Sequence, residues 1–154
     1  MDVSIIIPIY KGNGYIESLL SKIDKNYQLC QKKIEVIFVN DYPQEKMIIN
    51  SQHEYDIKIV NNEVNQGIHR TRVNGLNKAT GKYILFLDQD DEIADHCLKS
   101  QLAHMGNADV CIANGIMESE NGKCLIYKNR RSQNYLKKKI GFIKVRDLIV
   151  SPGH

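Results

Sequence analysis

The chain of 154 residues has no tryptophan, and tyrosine dominates its few aromatics. That speaks against a stacking platform for nucleic-acid bases, which sets aromatic rings along a basic groove. Its net charge of +3 falls well short of a nucleic-acid binder's basic surplus, so no nucleic-acid partner is expected. No apolar run approaches the ~20 residues of a membrane span, and the early SIIIPI is too short and too close to the start for a signal peptide. Cys30, Cys97, Cys111 and Cys124 stand far apart without a Cys-x-x-Cys pair, and the five histidines are scattered. A zinc site or a disulfide framework is therefore not expected; reduced thiols of a cytosolic protein are the better reading.

What is present is an ordinary globular composition, 42% hydrophobic and 25% charged, in a length that suits a single domain over residues 1–154. VSIIIPI (3–9) and IEVIFV (34–39) are continuous β-branched runs of the kind buried on both faces of a sheet. DIKIV (56–60) and YILFL (83–87) read as two further strands, the latter expected in the sheet interior. Tyr15, Leu19, Leu20 and Ile23 recur at helical spacing, in a helix that fades around DKNYQ. Further helices are expected over QEKMIINSQ, from about Ile68 to Ala79 with Gly81 as a left-handed cap, and over ADHCLKSQLAHM. ADVCIANGIM reads as another strand. This alternation predicts an α/β fold with a mostly parallel sheet and helices on both faces.

From residue 116 the rhythm is lost and basic residues gather, among them Arg130, Arg131, Lys137, Lys138 and Lys139. A solvated face is one reading. Peripheral contact with an anionic membrane, or with substrate phosphates, is the other.

In open parallel sheets, ligands bind beyond the carboxyl ends of the strands. Pro8-Ile9-Tyr10, Asn40-Asp41 and Asp88-Gln89-Asp90-Asp91 stand at three such ends, and their loops should converge on one crevice. The acids of YILFLDQDDEI repel one another when packed together. A hard divalent cation, Mg²⁺ or Mn²⁺, would relieve that repulsion and clamp a diphosphate. Asp88 and Asp90, two apart on an extended segment, would point the same way toward it. The competing reading is an acidic cap on the following helix, which fits Asp91 and Glu92.

The order of these motifs resembles the N-terminal part of the family 2 glycosyltransferases, which have the Rossmann-like GT-A fold. VSIIIPIYKGNGYIESLLSKI is similar to that family's opening strand and helix, and IEVIFVNDYPQE falls on its V-D-D-G-S segment. NNEVNQGIHRTRVNGLNKATGKYILFLDQDD follows its N-x-G-x-x-x-A-R-N…F-L-D-x-D-D signature. The match covers about residues 2–115.

The resemblance implies a metal-dependent, inverting transferase. It would move a sugar from a UDP-sugar to a glycan or lipid-linked acceptor, as in cell-surface polysaccharide synthesis. It makes Asp41 the contact to uracil and lines the nucleotide pocket with Pro8, Ile9, Tyr10, Arg72, Asp88 and Gln89. Asp90, with Asp88, would hold the cation. A cytoplasmic location follows, with room for peripheral membrane contact and for a homo-oligomer.

Asn40 stands where the family commonly has its first Asp, Tyr42-Pro43 replace Gly-Ser, and His69 and Thr71 precede Arg72 in place of small residues. The family's general base lies further along than Asp91. Asp109, Glu118, Glu120 and Asp147 lack its context, so the base is expected beyond His154, in a chain read as truncated. The alternative is a nucleotide-sugar-binding module or partner subunit without catalysis. A nucleotidyltransferase is a distant third, because KGNG makes a poor phosphate loop.

Overall fold

The computed structural model describes residues 1–113 together with strands Gly115–Glu118 and Cys124–Tyr127. Residues 1–100 form one compact unit, and residues 101–154 a second. In the first, β1 (Val3–Ile9) leads to α1 (Asn13–Cys30) and β2 (Ile34–Asn40). Then come β3 (Asp56–Asn61), α2 (Gly67–Leu76), β4 (Tyr83–Phe86) and the start of α3 (Cys97–Met105). The four strands form a parallel sheet in the order β3-β2-β1-β4. The α/β fold expected from the sequence is the fold observed.

β1 and β2 are buried along their whole length. Each buried Ile or Val side chain there contributes about 1.5–3 kcal/mol. The strand order also places the helices. The β1-α1-β2 step moves one way across the sheet, and β3-α2-β4 crosses back the other way. Right-handed crossovers running in opposite directions lay their helices on opposite faces. On the α2 side, Ile6, Ile37 and Val39 form the buried layer, joined by Val60 and Ala79. Alternation puts Ile5, Ile7, Val36 and Phe38 on the other side, where the buried stripe of α1 is Ile16, Leu19, Leu20 and Ile23.

Several local expectations are corrected. α1 runs through DKNYQ to Cys30, and Asn26 on its buried face explains why: its side chain bonds Ala94 O and the Leu98 amide. QEKMIINSQ is not a helix. Its polar groups are already committed, with Asn13 Nδ2 donating to Lys46 O and Glu17 accepting from Asn50 N and Ser51 Oγ. α2 ends at Leu76, and Gly81 is not in the left-handed region. Glycine is needed at 81 because a Cβ would lie 2.5 Å from Ser4 N.

β4 is an edge of the described sheet rather than an interior strand, with Ile84 and Phe86 exposed. α3 begins at Cys97, so Asp91 and Glu92 do not cap it, and Glu92 pairs instead with Lys22 at 3.2 Å. In place of a strand over 108–117, residues 108–113 have no regular structure. β5 (Gly115–Glu118) pairs antiparallel with β6 (Cys124–Tyr127). The basic residues 130, 131 and 137–139 lie outside the described residues. No helix among the described residues is long and apolar enough to cross a membrane.

Candidate active site

The sheet order reverses direction at β1, whose neighbours β2 and β4 connect to opposite sides. Such a switch point opens a crevice at the carboxyl ends of the strands. A cleft of about 380 Å³ lies there. Pro8, Ile9 and Tyr10 from the end of β1, Asp41 from β2, and Asp88, Gln89 and Asp90 from beyond β4 line it together. Three segments far apart in sequence thus meet where the strand-end argument placed them. Asn65, Gly67, Ile68 and Thr71 complete the wall, none of them expected in the pocket from the sequence. The signal for them was the glycine of NQG: Gly67 has φ +77°, which a side chain tolerates poorly.

Asp41 is buried, and its carboxylate organises the cleft wall. Oδ1 accepts from Asn62 Nδ2 at 2.7 Å and Gln66 N at 2.8 Å, and Oδ2 accepts from Gly67 N at 2.9 Å. These amides open α2 and have no partner within the helix. Burial pushes the Asp41 carboxyl up, but the bonds from Gln66, Asn62, Gly67 and Thr71 outweigh it and hold it below the usual carboxylate range. A carboxylate has about four acceptor sites, and the bonds from Asn62, Gln66 and Gly67 take three of them.

Beside it, Asn40 forms an Asx turn, with Oδ1 accepting from Tyr42 N at 3.0 Å and Nδ2 donating to Glu45 O at 2.9 Å. The departure from the family's Asp therefore has a structural use. Tyr42 packs edge-on against Tyr10 at 5.5 Å, and the Lys11 ammonium lies over both rings.

At the other end, Asp88 and Asp90 do not sit on an extended segment. Residues 88–91 form a turn closed by Asp91 N donating to Asp88 O. Both carboxylates line the cleft all the same. Arg72 does not line it; its guanidinium pairs with Asp88 at 2.5 Å and reaches the cleft through that residue. The exposed His69 is also absent from the wall. Burial first, then the charges of Asp88 and Asp90, raise the Asp91 carboxyl, with Arg72 opposing.

No group of three or more His, Cys, Asp or Glu side chains among the described residues is placed to hold a metal unaided. The donor set nonetheless fits a hard divalent ion, which takes one or two carboxylates and completes its shell with water and phosphate. Asp88 and Asp90 supply two carboxylates, and the Arg72 guanidinium pairs with Asp88.

The Glycosyl transferase family 2 pattern matches residues 4–152, well past the part recognised from motifs alone. An uncharacterized glycosyltransferase of Haemophilus influenzae is 39% identical over 108 residues, covering 67% of this chain and 42% of that protein. The minor teichoic acid biosynthesis protein GgaB of Bacillus subtilis is 30% identical, covering 99% of this chain and 17% of its own length. The chain thus spans less than half of either relative.

Among solved structures, that of Staphylococcus aureus TarS 1–349 superposes with a TM-score of 0.59 at 26% identity, covering 80% of this chain and 37% of that one. Its complex with UDP-GlcNAc gives 0.57 at 27%, covering 70% and 32%. Strand order, the cleft at the switch point and the matched family pattern agree: the chain belongs to glycosyl transferase family 2.

Proposed function

We propose that this chain is the donor-binding part of a glycosyltransferase that takes its sugar from a UDP-sugar and transfers it, with inversion, to a glycan or lipid-linked acceptor of a cell-surface polysaccharide. The observation that carries this reading is the cleft, which gathers an aromatic ring, a buried carboxylate and two acids at a switch point. The TarS complex with UDP-GlcNAc supports the donor class, and the teichoic acid role in GgaB's name supports the product class.

Each residue then has a task. Tyr10, half-exposed, offers its ring to the base, with Pro8 and Ile9 as the apolar wall behind it. The Asp41 carboxylate accepts the uracil imide N–H, which adenine and guanine do not present in the same place. Asp88 and Asp90 would hold Mg²⁺ or Mn²⁺, with Arg72 steadying Asp88. Bound there, such an ion supplies charge neutralisation for the diphosphate of the leaving UDP. Inverting transfer also needs a base for the acceptor hydroxyl. The acids lining the cleft among the described residues, Asp41, Asp88 and Asp90, already have other tasks, so we place the base outside the described residues. A nucleotide-sugar donor implies a cytoplasmic location. The basic stretch 130–139 is the candidate contact with an anionic membrane face.

Calorimetry tests the reading directly. UDP should bind more tightly than ADP or GDP, and Mn²⁺ should strengthen it. Asp90→Asn should abolish most of the Mn²⁺ effect while leaving metal-free UDP binding near wild type. Equal affinity for the three diphosphates would remove the uridine assignment.

A further inference from the structure

The base end and the acid end of the cleft are joined by one side chain. Gln89 stands between Asp88 and Asp90, and its carboxamide meets the backbone of Tyr10 twice. Oε1 accepts from Tyr10 N at 2.8 Å, and Nε2 donates to Tyr10 O at 3.2 Å. The β1–β4 ladder stops at the Ile6–Phe86 pair. Above that level the Gln89 amide offers Tyr10 what a neighbouring strand would have offered.

The chain beyond Tyr10 is shaped to admit it. A Cβ at Gly12 would lie 2.4 Å from Gln89 Oε1 and 2.8 Å from its Cδ. Lys11 adopts a φ of +52°, in the left-handed region that side-chain-bearing residues rarely take. Both features belong to a bend that carries the chain from β1 past the amide into α1.

We propose that Gln89 is a positioning residue that sets the nucleobase end of the cleft in register with its acid end. Its amide fixes Tyr10, while its own backbone carries Asp88 and Asp90 on either side. Through the bonds of its amide to the Tyr10 backbone, it acts on the base end by way of Tyr10. The inference rests on the donor-site reading above and adds to it how the two subsites are coupled. A brace for stability alone would lower the melting temperature and leave ligand coupling unchanged. A positioning residue changes the factor by which a cation at the acid end tightens a nucleotide held at the base end.

UDP titrations with and without Mn²⁺ on wild type, Gln89→Ala, Gly12→Ala and the double variant make the test. Gln89→Ala should weaken UDP about tenfold, the scale of one or two lost hydrogen bonds, and shrink the Mn²⁺ enhancement. Gly12→Ala keeps Gln89 but displaces its amide, so it should reproduce both effects, and it carries the test if Gln89→Ala does not fold. The double variant should bind no more weakly than Gln89→Ala, because the added methyl then has nothing to displace. An unchanged Mn²⁺ enhancement in both single variants, or losses that simply add in the double, overturns the proposal and leaves the donor reading standing. A wild type that binds no UDP overturns both.

Discussion

Two adjacent side chains at the end of β2 divide the work of the site. Asn40 shapes the loop by accepting one hydrogen bond and donating others, to Glu45 O and Asn61 Oδ1. Asp41 organises the first turn of α2. Asn40→Asp would restore the residue common in the family, yet a carboxylate cannot donate and would face a carbonyl. The expected result is a loss of about 1–3 kcal/mol in denaturant unfolding, with no gain in UDP affinity.

Glu35 is the buried acid at the opposite end of the sheet. Its Oε1 accepts from Ser4 Oγ, Thr80 N and Thr80 Oγ1, and its Oε2 meets the Lys58 ammonium. Burial raises its pKa, but Lys58, Ser4 and Thr80 together lower it from 4.5 to about 2. A depressed carboxylate stabilises the fold above its unfolded pKa and loses that contribution as pH falls toward the folded value. Glu35→Gln keeps the acceptor for Ser4 and Thr80 and removes the charge. Wild type should therefore exceed the variant by on the order of 1–2 kcal/mol at neutral pH, and the gap should close between pH 4.5 and about 2. A gap that widens on acidification would contradict this account.

At the scale of elements, the seat of α2 decides where the cleft wall stands. Gly75 faces the sheet so closely that a Cβ would lie 2.4 Å from Ile6 Cγ2 and 3.0 Å from Val39 Cγ2. Alanine would improve helix propensity by about 1 kcal/mol. Overpacking a buried layer costs about 1–3 kcal/mol, and here both neighbours belong to central strands that cannot retreat. Gly75→Ala should thus be destabilising on balance, and UDP affinity should fall with it, because shifting α2 moves the Gly67 amide away from Asp41. Thermal unfolding and UDP titration of this single variant check both. A more stable Gly75→Ala would mean that α2 is free to ride outward.

Across the described residues, burial is concentrated in the two central strands. β1 and β2 are buried throughout, whereas β3 and β4 consist of partly buried and exposed residues. Local opening follows buried apolar contact. Amide hydrogen exchange should be slowest at Ile5–Ile7 and Val36–Phe38 and faster along Tyr83–Phe86. Equal protection of β4 and β1 would show that something covers the β4 edge in solution. Any such cover would bear on function, because Asp88 and Asp90 follow directly from that strand.

The sequence by itself determined the four strands of the parallel sheet, the fold class and the convergence of three strand ends on one crevice. The β-branched runs VSIIIPI and IEVIFV have few other stable fates, and parallel topology sends their ends to the same side. It also carried the family, through a motif block whose residue types and spacings are rarely met by chance. Only the tertiary structure decided what the site residues do with their hydrogen bonds. Asp41 read as a ligand contact, and three of its acceptor sites proved to be occupied by Asn62, Gln66 and Gly67. Gln89 read as one more pocket residue, and its amide is held by Tyr10, 79 residues earlier. QEKMIINSQ read as a helix, and its polar groups went to α1. In each case local pattern reports what a segment can do alone. A side chain's partner is set by whichever distant group the fold brings within about 3 Å.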